Sequence, residues 1–153
     1  MDEALIRRTL PHSVEAEQSV IGSMIMDSDA VMAASEILTA EDFYGNQYGI
    51  LFQAMVELFT AGKPIDIITL QDKLSQMDVP AELSSIEFIR DLLAAVPTSA
   101  NVKYYAKIVK EKSTLRKLIK INEDIANTCY VGKENLDNIL DETEKKVFGI
   151  LQR

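Results

Sequence analysis

No proline or glycine interrupts residues 100 to 130, and across that stretch Tyr104, Ile108, Leu115, Leu118, Ile119, Ile125 and Cys129 recur on one side at helical spacing. Such a run forms a helix of roughly 45 Å at 1.5 Å per residue, too long to bury its whole length in a small preceding body. Val131-Gly132-Lys133 then supplies a turn. Beyond it Leu136, Ile139, Leu140, Val147, Ile150 and Leu151 mark a second amphipathic helix that returns along the first as an αα-hairpin. Ile121 flanks the stripe of Leu118, Ile119 and Ile125, and together they form a band wider than one antiparallel helix covers. The surplus is expected to bury against the preceding head, a second copy of the chain or a foreign partner.

Ahead of the hairpin, the residues predict a helical head. Ser13 can cap a helix over 14 to 26, with Glu15 and Glu17 near its positive end and Val14, Ile21 and Ile25 at helical spacing. Gly22 inside that helix points to close approach of a neighbour, since glycine there costs about 1 kcal/mol relative to alanine. Asp29 is the expected cap of a helix over 30 to 38, and the segment Thr39 to Phe43 is expected to make a short turn of helix. Asn46 is the expected cap of a helix over 47 to 61, the centre of the core, whose stripe of Tyr48, Leu51, Phe52, Met55, Leu58 and Phe59 is closed by Gly62. Asp66 can cap a helix over 67 to 77 that buries Ile67, Leu70 and Leu74, although the β-branched PIDIITL stretch also admits a strand. Ser84-Ser-Ile-Glu87 has capping-box spacing for a helix over 85 to 95 ended by Pro97, and Ser99 can start the long helix. The expected architecture is all-α: a flexible tail over 1 to 12, a small helical head over 13 to 98, and a long antiparallel helical hairpin over 99 to 153.

A chain of 153 residues buries roughly two-thirds of its unfolded surface without staples. The one cysteine rules out an intramolecular disulfide, and MDEALIRRTLPHS lacks the basic start and apolar run of a secretory signal, so a cytoplasmic protein is expected. Charged or amide residues break every hydrophobic stretch, so no membrane span is expected. The net charge of -8 is unevenly spread: residues 1 to 100 carry 5 basic and 16 acidic side chains, residues 101 to 153 carry 11 and 8. An acidic head therefore precedes a mildly basic hairpin, which disfavours a generic nucleic-acid binder.

Chemistry that the chain lacks is equally informative. A phosphate-cradling loop needs G-x-x-x-x-G-K-[ST], yet Gly62-Lys63 is followed by Pro64 and Gly132-Lys133 by Glu134, with Glu57 and Asn127 where the first glycine would stand. One His and one Cys make no metal pair; His12 is expected as a solvated tail residue and Cys129 as a small apolar group within the hairpin. The neighbouring carboxylates Glu41-Asp42, Glu123-Asp124 and Asp141-Glu142 point in different directions on a helix and read as solvated surface. Lys103, Lys107, Lys110, Lys112, Arg116, Lys117 and Lys120 lie mostly opposite the apolar stripe. That face reads as solvated, with the alternative of a nucleic-acid-binding module along residues 103 to 120.

Six ordered fragments resemble a known family. Pro11-His-Ser-Val-Glu-Ala-Glu-Gln-Ser-Val20-Ile-Gly22 is followed by Asp42-Phe43-Tyr44, and then by Gly62-Lys-Pro-Ile-Asp66 with Thr69-Leu70. Next come Pro97 with Asn101, Tyr105-Ala106, and Val109-Lys-Glu-Lys112 with Arg116. In that order and spacing they are similar to the N-terminal domain of DnaB-type replicative DNA helicases. The resemblance implies a head and hairpin without the ATPase motor domain, hence no catalytic residue and no cofactor here, ATP and magnesium belonging to the full-length family. It also implies a non-catalytic role in hexameric ring assembly, as a trimer of dimers paired through hairpins, and in receiving the helicase-binding domain of primase. Direct DNA binding is not expected. The primase contact is then expected at Ile119 and Ile125 with the aromatic Phe88, within a partner-binding set of Phe88, Leu118, Ile119, Ile121 and Ile125. The family often carries Tyr where this chain has Phe88, so a hydroxyl hydrogen bond is absent.

Overall fold

A computed structural model describes residues 9–96 and 101–152, and among them every regular element is helical. The expectations for residues 1–8, Pro97 and Ser99 lie outside the described residues. The described residues divide into two compact units, one within His12–Glu111 and one comprising residues 112–152 together with residues 9–11.

In the first unit, α1 (Val14–Met26), α2 (Ser28–Ser35), α3 (Asn46–Thr60), α4 (Ile67–Gln76) and α5 (Ile86–Ala94) pack with the first turns of α6 (Val102–Val131). Short 3-10 turns at Ala40–Asp42 and Ala81–Ser84 join them. Helix α1 touches α2, α3 and α5, and every residue from Val20 to Ile25 is buried, as a helix enclosed on several sides requires. Gly22 permits that enclosure: a Cβ there would overlap Val96 Cγ2 and stand 3.3 Å from the Leu92 carbonyl oxygen. Helix α3 lies against α1, α2, α4 and the Ala40–Asp42 turn, and presents Leu51, Phe52 and Met55 to the core as its stripe predicts. From α6, Val102, Ala106 and Val109 complete this core.

Several caps sit one or two residues from their expected place. Asp27, in extended conformation, accepts from Asp29 N at 3.0 Å and starts α2 at Ser28, so Asp29 is inside the helix. Ser85, not Ser84, caps α5 by accepting from Phe88 N, while Ser84 Oγ turns back to Ala81 O. PIDIITL is helical from Ile67: Asp66 and Thr69 form a reciprocal capping box, Thr69 N to Asp66 Oδ1 at 2.8 Å and Asp66 N to Thr69 Oγ1 at 2.9 Å. Gly62 adopts φ +72 after α3, the left-handed closure expected of it. His12 is not a bare tail residue, because its ring stacks on Tyr44 with centroids 4.1 Å apart.

The second unit contains the rest of α6 and helix α7 (Leu136–Leu151). Gly132 at φ +64 opens the connection, and Asn135 caps α7 by accepting from Asn138 N at 2.8 Å. Thr128 of α6 and Asn138, Asp141 and Lys145 of α7 line one cleft, so the two helices run back along each other. Arg116 Nη1 donates to Pro11 O at 2.8 Å, which fixes the chain's entry against α6. Among the described residues no helix is long and apolar enough to cross a membrane.

Candidate partner-binding surfaces

The hairpin carries its apolar side chains in two populations. Leu118, Ile119, Ile121 and Ile125 share a face of α6 and are all half-buried. At about 100° per residue, Ile121 and Ile119 edge a band roughly 160° wide around Leu118 and Ile125, wider than the ordinary stripe of about 100°. On α7, Ile139, Val147 and Ile150 are half-buried. Leu136, Leu140, Phe148 and Leu151, by contrast, are 67%, 56%, 57% and 70% exposed. These four occupy the sector of α7 next to its half-buried one, so its apolar surface covers about half the helix circumference. Periodicity placed Leu136, Leu140 and Leu151 with the inward residues and left out Phe148. Together the four make an exposed apolar stripe along α7.

Cys129 corrects a sequence expectation: it is exposed near the end of α6, beside Tyr130, itself 90% exposed. The reason is geometric, since α7 begins only at Leu136 and leaves the last turn of α6 uncovered.

Phe88 lies in the other unit, on α5, apart in the chain from the four α6 residues. It is half-buried, rests on the core, and lines an open groove of about 720 Å3 whose floor includes Tyr48, Leu83 and Leu92. The Tyr48 hydroxyl accepts from Gln18 Nε2 at 2.9 Å, which ties α1 to α3 beneath the groove. Three carboxylates, Glu82, Glu87 and Asp91, line its rim, and no lysine or arginine does.

Two buried carboxylates escaped the sequence reading. Glu17 is 2% exposed and accepts from Tyr44 N at 2.9 Å and Gly45 N at 3.0 Å, so α1 supplies the acceptor at the entry to α3. The expected cap, Asn46, is instead the first residue of α3, after Gly45 in the cap position. Asp42 is fully buried, against its expected place on a solvated surface. Its Oδ2 accepts from Thr39 N at 2.8 Å, and Lys110 Nζ lies 3.4 Å from both of its oxygens. Only helical periodicity at Glu17, with alanine and glutamine beside it, hinted at an inward acid. Lys110 and Arg116 therefore do not belong to a merely solvated basic face, because Asp42 and Pro11 O engage them. Both acids are occupied by structural donors, and no cluster of three metal-ligating side chains occurs among the described residues.

Comparison with known proteins agrees with this architecture. A family model described as "DnaB-like helicase N terminal domain" matches residues 9–111. The chain is 40% identical over 153 residues to the replicative DNA helicase DnaB of Geobacillus stearothermophilus, covering all of this chain and 34% of that protein. It thus spans about a third of the length of the relatives it matches. The crystal structure of the N-terminal domain of DnaB helicase from Mycobacterium tuberculosis superposes with a TM-score of 0.87 at 29% identity, covering 93% of this chain and 99% of that one. The N-terminal domain of the Helicobacter pylori DnaB helicase, described together with its interactions with primase, shares the fold at a TM-score of 0.66 and 21% identity, covering 85% and 99%.

Proposed function

We propose that this chain, which belongs to the family of DnaB-like helicase N-terminal domains, serves as the non-catalytic collar module of a replicative helicase. In this reading, hairpins of neighbouring copies pair and carry a ring built as a trimer of dimers, while the collar receives the helicase-binding domain of primase. The division into a head over 13 to 98 and a hairpin over 99 to 153 is part of the proposal.

The observation that carries it is the exposed stripe Leu136, Leu140, Phe148 and Leu151 on α7. Covering each of these side chains gains about 1 kcal/mol or more. A two-fold contact covers the stripe on both copies, bringing the gain to the order of 10 kcal/mol, against an association cost of about 4–15 kcal/mol. Such a contact covers both copies with one kind of surface, which favours self-pairing. The assignment of primase contacts to Phe88, Ile119 and Ile125, within the wider set that includes Leu118 and Ile121, draws support from their partial exposure and from the groove beside Phe88.

Sedimentation of the chain alone and with the primase helicase-binding domain tests both halves. Self-association over the micromolar range and co-sedimentation with the primase domain are expected. A monomer at every concentration removes the assembly role, and separate boundaries remove the docking role.

A further inference from the structure

We infer that the groove beside Phe88 takes a basic, amphipathic segment of a partner protein, seating an apolar side chain against Phe88 and pairing flanking Arg or Lys heads with Glu87 and Asp91. The inference rests on the reading of the head as a docking module and adds the charge and shape of what docks.

Charge is the first argument. Glu82, Glu87 and Asp91 are exposed at the groove, no cation lines it, and no ion pair engages any of them among the described residues. Glu87 is accounted for by the fold, because it sits in the first turn of α5, where a negative charge favours the helix dipole. Asp91 is not. It lies four residues beyond Glu87, a spacing at which like charges repel, and in the half of α5 where the dipole disfavours an acid. Packing provides no compensation, since Asp91 is exposed. An arriving cation would turn this repulsive pair into a bidentate acceptor.

Shape is the second. The lining is mixed, with Leu83 and Leu92 buried, Phe88 half-buried and Pro80 exposed beside the amides of Gln18, Asn46 and Gln47, and a volume of about 720 Å3 accommodates several side chains. A free polycation would leave Phe88 and Pro80 uncovered, and a nucleic-acid backbone would meet charge of its own sign. An amphipathic segment satisfies both the floor and the rim, as in helix-in-groove recognition.

Two fluorescent 15-residue amphipathic peptides with identical leucine positions, one with arginines and one with glutamates on the polar face, serve as probes for anisotropy titrations at low and high salt. The arginine peptide is expected to bind at least tenfold more tightly than the glutamate peptide, and several-fold more weakly at high salt. Asp91→Lys and Phe88→Ala are each expected to weaken it by fivefold or more. Equal affinity for the two peptides, or an unchanged affinity in Asp91→Lys, overturns the inference. A parallel titration with the primase helicase-binding domain separates the two readings. Binding that needs Phe88 but ignores Asp91→Lys leaves docking standing and overturns the basic-segment inference. A primase domain that never binds, beside an arginine peptide that does, sinks the docking reading alone. A change in the self-association of the chain in Asp91→Lys would assign the groove to a second copy and overturn the inference.

Discussion

Lys110 Nζ stands 3.4 Å from both carboxylate oxygens of Asp42, a residue with no exposed side-chain surface, and so joins α6 to the Ala40–Asp42 turn 68 positions earlier in the chain. Lys110→Met keeps the length of the side chain and removes the cation. Asp42 retains its bond from Thr39 N, and the Lys110 side chain is 36% exposed, so the loss falls below that of a fully buried pair. Urea denaturation should show a destabilisation of about 1–3 kcal/mol. Lys107→Met, at an exposed position on the same helix, should stay within about 0.5 kcal/mol. Equal stability of the two variants would show that the ion pair contributes nothing.

Glu17→Ala should be among the most damaging polar substitutions in the head. It leaves Tyr44 N and Gly45 N without their acceptor at the entry to α3, and an unsatisfied buried donor costs about 1–3 kcal/mol. A loss of about 2–4 kcal/mol in denaturant unfolding is expected, with Glu17→Gln intermediate because one amide oxygen still accepts. If Glu17→Gln proves as damaging as Glu17→Ala, the charge and not the acceptor count holds the α3 entry.

Gly22→Ala forces a methyl group onto Val96 Cγ2 and should destabilise by about 1–3 kcal/mol. The double variant Gly22→Ala with Val96→Ala relieves the overlap, so the two losses should fail to add by about 1 kcal/mol or more in a double-mutant cycle. Strict additivity would mean that α1 and α5 separate instead of clashing.

Local patterns carried most of the fold. Asp66 three residues before Thr69 and Gly62 after an apolar stripe each express their reason within a turn of chain and behave in the structure as their patterns predict, whereas Gly22 within a helix signals a close approach whose partner, Val96, lies far along the chain. Glu17 and Asp42 were harder to read because Tyr44 N and Lys110 Nζ lie 27 and 68 positions away from them: a helical period can turn an acid inward, as at Glu17, but it does not name the distant group that the acid meets. The hairpin shows the same limit. Periodicity located Leu136, Leu140 and Leu151 on one side of α7, but which of two adjacent sectors meets α6 depends on the rotation of one helix against the other.

That rotation gives the most discriminating test of the assembly role. Phe148→Asp and Leu140→Asp change exposed positions, so neither should disturb the chain's own core, and circular dichroism should report unchanged helix content. Each puts a charge where self-pairing would desolvate it, and should weaken association by at least about 2–3 kcal/mol, or roughly a hundredfold in dimer dissociation constant. Ile119→Asp acts on the half-buried band of α6 and should impair primase-domain binding or assembly by a similar factor. Light scattering and a primase-domain titration on all three variants separate the surfaces. Assembly lost in the α7 variants with primase binding retained places self-contact on Leu140 and Phe148. Unchanged mass in both α7 variants would leave the exposed stripe without a role in assembly, whatever Ile119→Asp does.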